Sequence, residues 1–131
     1  MIIQNVTGYT INKAINTVMK GNINMSVVSL NKDNFDEVKK SGKIILLDFY
    51  ADWCGPCRML SPVVDEFAEE NPDFVVGKIN VDKEPELSEE FGVSSIPMLV
   101  VMKDGKILNK SVGAKSKQQI LEMIEKSNAH L

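Results

Sequence analysis

Two periods of apolar residues alternate along this chain, and each switch between them marks an element. The run Ile44-Ile45-Leu46-Leu47-Asp48-Phe49-Tyr50-Ala51 is apolar at odd and even positions alike. It therefore predicts a strand buried on both faces. Soon after it, Met59, Leu60, Val63, Val64, Phe67 and Ala68 recur at three- and four-residue spacing, the stripe of an amphipathic helix. Pro62 lies inside that helix and should bend it, and Asn71-Pro72 stops it.

The flanking segments extend the alternation. Val27-Val28-Ser29-Leu30 reads as a short strand, followed by a helix from about Lys32 to Ser41. Asn31 or Asp33 is its cap, Phe35 and Val38 face inward, and Gly42 ends it. Phe74–Val81 is a third strand. A short helix over Glu84–Phe91 has Pro85 in its first turn and Gly92 past its end. Met98–Met102 and Ile107–Val112 flank Lys103-Asp104-Gly105-Lys106, and Asp-Gly there predicts an antiparallel hairpin. Ser116 and Gln119 have capping-box spacing and open the last helix, with Ile120, Leu121 and Ile124 on its inner face. This order predicts an α/β domain with a mixed five-stranded sheet and helices on both faces.

Residues 1–24 differ in composition from the rest. They hold Lys13 and Lys20 and no acidic residue, which leaves the other 107 residues at −5, 13 basic against 18 acidic. Ile11, Ala14, Ile15, Val18 and Met19 share a helical face between Thr10 as N-cap and Gly21 as C′ residue, so one short amphipathic helix is expected. Asn12, Lys13, Asn16 and Thr17 interrupt any apolar run of secretory-signal length, and the lack of arginine weakens a transit-peptide reading. The expectation is an extension over 1–24 whose apolar face docks on the domain or on another copy, then one domain over 25–131, with Met25 a candidate initiator. Hydrophobic content of 44% and charged content of 25% fit a soluble globular chain. A net charge of −3 without a basic block gives nucleic-acid binding no support. No apolar run approaches the roughly 20 residues that span a bilayer.

Candidate chemistry centres on the only two cysteines, Cys54 and Cys57, at the strand-to-helix junction Asp52-Trp53-Cys54-Gly55-Pro56-Cys57-Arg58. A cysteine attacks a disulfide as the thiolate, and the free N–H groups and partial positive charge that open a helix stabilise that anion. Pro56 suits the first helical turn, and Cys57 lies one turn on, within reach of the Cys54 sulfur. Zinc would need about four ligands, and the chain adds only His130. A structural bridge closing so short a loop removes little unfolded-chain entropy. Catalytic redox use is the stronger reading, and two cysteines suit a reducing compartment such as the cytoplasm.

The run Leu47–Arg58 closely resembles the active-site segment of the thioredoxin family, as do Lys78-Ile79-Asn80-Val81-Asp82, Gly92-Val93-Ser94-Ser95-Ile96-Pro97 and Val112-Gly113-Ala114. These segments occur in the family's order across residues 25–131. The resemblance implies the thioredoxin fold and, for Cys54, a lowered thiol pKa, which is an established property of this family.

Asp48 interrupts an apolar strand, and burying its carboxylate should raise its pKa; an edge position in water is the other reading. By resemblance Asp48 lies behind Cys57 and helps deprotonate it. Lys78 alone reads as a solvated strand lysine; by resemblance it sits beside Asp48 and partly offsets its charge. Trp53 could be core on position alone. The resemblance instead makes Trp53, Gly55, Pro56, Ile96, Pro97 and Gly113 a surface for substrate chains. Ile96-Pro97 could be a trans turn, but the matching proline in the family is cis, and the residue before it pairs with an extended substrate segment. Two positions depart from the commoner pattern: Tyr50 stands where tryptophan is frequent, and Met98 where threonine follows the proline. Met98 is expected to alter the apolar surface offered to partners.

The resemblance thus implies a thiol–disulfide oxidoreductase that reduces disulfides in target proteins. A thioredoxin reductase would re-reduce it, with NADPH serving only indirectly and no bound cofactor or metal. A monomer in the cytoplasm is expected, with no nucleic-acid or membrane partner. A disulfide oxidase or isomerase, or a redox-independent binding subunit, are the competing readings. The absence of a histidine before Cys57 disfavours the first of them.

Overall fold

The computed structural model describes residues 26–128. The expected helix within 1–24, and His130, lie outside the described residues. Five strands, β1 (Val27–Ser29), β2 (Ile45–Tyr50), β3 (Val75–Asn80), β4 (Met98–Lys103) and β5 (Lys106–Val112), form one sheet in the order β1-β3-β2-β4-β5. β3 is parallel to β1 and β2, whereas β4 is antiparallel to β2 and to β5. Among the described residues the helices are α1 (Phe35–Lys39), α2 (Gly55–Glu70), α3 (Pro85–Glu90) and α4 (Lys117–Asn128).

Central placement explains why β2 is apolar at both parities apart from Asp48. One parity (Ile45, Leu47, Phe49) packs with Phe35 and Val38 of α1 and Leu87 of α3. The other begins with Leu46, which packs with Leu60, Val64 and Phe67 of α2 and Ile120 and Ile124 of α4. Gly77 of β3 is needed for packing, because a Cβ there would collide with the side chain of Leu30.

Local signals place most element ends. Asp104 and Gly105 both have positive φ, 53° and 78°, the hairpin geometry that the Asp-Gly pair predicts. At α4, the Gln119 N–H donates to Ser116 Oγ at 3.1 Å and the Ser116 N–H to Gln119 Oε1 at 2.9 Å, the expected capping box.

Three expectations are corrected. The helix expected from Lys32 begins at Phe35, because Asn31 Oδ1 accepts from the N–H groups of Asp33 and Asn34 and closes a local turn first. Met59 is 76% exposed and leaves the α2 stripe, which runs Cys57, Leu60, Val64, Phe67 and Ala68. At about 100° per residue, Met59 points far from that row. On α4, Leu121 is only partly covered, and Met123 joins Ile120 and Ile124 in the core.

Candidate active site

The site stands where β2 gives way to α2. Val81 N–H donates to the Tyr50 carbonyl at 2.8 Å and Cys54 N–H to the Ala51 carbonyl at 3.2 Å, so the chain turns sharply as the strand ends. Cys54 is the N-cap of α2, with φ −91° and ψ 114°, and Pro56 sits in the first turn. Its Sγ accepts the Cys57 N–H at 3.2 Å, the role an N-cap side-chain oxygen usually plays. Cys54 and Cys57 are joined as a disulfide with Cα atoms 5.2 Å apart. Both are buried and pack with Ala51, Tyr50, Val81 and Ile96.

Next to the buried sulfurs one large apolar side chain stands out to solvent. Trp53 is 68% exposed, and its indole Nε1 donates to Asp82 Oδ2 at 2.8 Å. Asp82 is itself fixed by its N–H donating to Asn80 Oδ1 at 2.9 Å. The Ile96-Pro97 peptide is cis, and the Pro97 carbonyl accepts the Gly113 N–H at 2.8 Å. Gly113 has φ 106° and nothing within 4 Å of where a Cβ would stand, so another chain can approach its backbone. Met98 does not join this surface. It is 4% exposed and packs into the core under α1 and α3, because the strand's alternation turns it inward, so the expected effect on the partner surface is absent.

Behind the sulfurs lies a cavity of about 400 Å³, lined by Asp48, Tyr50, Cys57, Arg58, Ser61 and Lys78 among others. Asp48 is 1% exposed, which excludes the edge position. Neither of its carboxylate oxygens accepts a hydrogen bond from the protein. Burial pushes its pKa from 3.8 up to about 6; Lys78 pulls it down and Asp65 pushes it up. Lys78 is the strand partner of Asp48 across β2 and β3. Its direct partners, however, are Ser61 Oγ, to which Nζ donates, Asp65 Oδ1 at 3.8 Å, and the Tyr50 ring at 5.6 Å from its centroid.

The sequence does not mark Ser61 or Asp65 as site residues, and it marks Asp82 only as the end of the family-like segment Lys78–Asp82. Ser61 and Asp65 follow Cys57 at four-residue steps along α2, a spacing visible in sequence, but Lys78 opposite them comes from another element. Among the described residues, no group of three or more His, Cys, Asp or Glu could hold a metal. No described helix is long and apolar enough to cross a membrane.

The thioredoxin family model matches residues 26–126. The chain belongs to the thioredoxin family. A thioredoxin of Chlamydia muridarum is 45% identical over 97 residues, covering 74% of this chain and 94% of the relative. One from Alicyclobacillus acidocaldarius is 43% identical over 96 residues, covering 72% and 91%. Among solved structures, a point mutant of a thioredoxin from Halobacterium salinarum superposes with TM-score 0.73 at 37% identity, covering 78% of this chain and 90% of that one. Spinach chloroplast thioredoxin f gives TM-score 0.75 at 26% identity, covering 88% and 93%. With its cysteine pair at the family's Trp-Cys-Gly-Pro-Cys position, this member is an enzyme, a thiol–disulfide oxidoreductase of the protein-disulfide reductase class acting on protein disulfides.

Proposed function

We propose that this chain works in the reducing direction in the cytoplasm, carrying electrons from a thioredoxin reductase, and ultimately NADPH, to disulfides of other proteins. The exchange chemistry is carried by the Cys54 sulfur capping α2 and accepting the Cys57 N–H, and the reducing direction by Gly55-Pro56 with no histidine before Cys57. In the reduced protein that N–H and the helix dipole stabilise a Cys54 thiolate. The thiolate attacks one substrate sulfur, and the other leaves as a thiolate and takes a proton. Asp48, sharing a cavity with Cys57, accepts the Cys57 proton through water in that space. The Cys57 thiolate then attacks Cys54 Sγ, the Cys54–Cys57 bond forms, and the second substrate sulfur departs and is protonated. Two electrons and two protons have moved to the substrate.

A substrate strand would lie across Trp53, Gly55, Pro56, Ile96, Pro97 and Gly113. The open Gly113 backbone supports main-chain pairing there. Gly55-Pro56 between the cysteines, with no histidine before Cys57, supports a reductant over an oxidant.

The test is reduction of insulin disulfides by the full chain, with NADPH and a bacterial thioredoxin reductase as donor. Wild type should accelerate it, Cys54→Ser should abolish it, and Cys57→Ser should accumulate a mixed disulfide. Asp48→Asn should slow release of that intermediate by roughly 100-fold or more. A wild-type potential above about −180 mV, the range of a disulfide isomerase, would overturn the reducing assignment.

A further inference from the structure

Asp48 and Lys78 are directly opposed on neighbouring strands and project from the same face of the sheet. A buried carboxylate beside a lysine ordinarily takes that ammonium as its partner, because pairing offsets both desolvation costs. Here the ammonium goes elsewhere. It donates to Ser61 Oγ, pairs with Asp65 Oδ1 at 3.8 Å and lies over the Tyr50 ring, while both oxygens of Asp48 accept nothing from the protein. Cys57, Ser61 and Asp65 succeed one another at four-residue steps along α2. The thiol whose proton must move and the two groups that hold the ammonium therefore form one row.

We infer that Ser61 and Asp65 are positioning residues for the exchange reaction, holding the Lys78 ammonium off the Asp48 carboxylate so that Asp48 remains a base for Cys57. The inference rests on the proposed function, in which Asp48 takes that proton. One ammonium stands among Ser61, Asp65 and Asp48, and its position decides how basic Asp48 is. In direct contact it would lower the carboxyl pKa by about one to three units and leave a weak base. Kept aside, it offsets burial only in part. Among the described residues lining the cavity, Arg58 is the one other cation; it is exposed and donates through Nη1 to the Asp52 carbonyl at 2.9 Å.

The experiment is carbon-13 NMR titration of the Asp48 carboxyl in the oxidised full chain, alongside the pH profile of insulin reduction. Asp65→Asn should lower the Asp48 pKa by roughly half a unit to one unit. Ser61→Ala should lower it by less, and the acidic limb of the rate profile should move with it. In a Lys78→Gln background, where no ammonium remains to be held, Asp65→Asn should keep only the smaller direct effect of losing its charge. If that shift persists undiminished without Lys78, Asp65 acts on Asp48 directly through its charge and the positioning role is overturned. It is equally overturned if neither single variant moves the titration. The titration needs no turnover, so failure of the proposed function would show separately, as wild type that does not reduce insulin.

Discussion

The two faces of the sheet are built to different standards. Under α1 and α3, β2 presents Ile45, Leu47 and Phe49 to an all-apolar core, and β4 adds Met98, Val100 and Met102. Under α2 and α4, the face begins the same way, with Leu46, Val76, Leu99 and Val101, but towards the active site it gives way to Asp48 and a cavity. Both regions exclude solvent from β2. Only one of them uses that exclusion to change the chemistry of a side chain, since burial is what lifts the Asp48 pKa. The closed face stabilises the fold, and the other gives up some stability for a base near neutral pH.

The contrast can be broken hardest from the closed side. Phe49 is fully buried and packs at 5.4 Å between ring centroids against Phe91. Phe49→Ala should cost about 3–5 kcal/mol in urea unfolding, and chain that remains folded should keep its thiol chemistry. A loss under about 1 kcal/mol would mean that this face is not the stabilising one.

On the other face the sign reverses. The folded pKa of Asp48, about 6, lies above the ordinary 3.8, so between those values the folded chain binds more protons than the unfolded one. Stability therefore falls as pH rises through that window, and above it the full penalty applies, on the order of 3 kcal/mol. Asp48→Ala should accordingly stabilise the oxidised protein at pH 7 by about 2 kcal/mol, with the gain vanishing below about pH 4. A variant that is less stable than wild type at pH 7 would contradict the assignment. The smallest effect is expected for Met98→Thr, which places a hydroxyl in the closed core. It should cost about 1 kcal/mol and leave insulin-reduction kinetics unchanged; a changed KM would return Met98 to the substrate surface.

Local chemistry made much of this legible in the sequence. The Asp104-Gly105 hairpin, the Ser116–Gln119 cap and the cysteines at a helix start each depend on neighbours within a few residues, and each stands where expected. Asp48 was legible as an anomaly, a charge in an apolar run. What escaped depends on contacts between elements or on angular detail. Spacing alone put Met59 in the α2 stripe, but the row that packs is set by where β3 and α4 lie. Asn31 could be read as a helix cap, but its double acceptance closes a separate turn and delays α1. The partners of Lys78 could not be read at all, because Ser61 and Asp65 meet it only once α2 has docked on the sheet.

Trp53 is the only indole in the chain and directly precedes Cys54. Its ring is held by the Nε1 bond to Asp82 and stands largely in solvent. One chromophore next to the reactive pair means that any change in its emission on reduction can be assigned to a single place. A substrate chain settling there should be visible in the same signal on unlabelled protein.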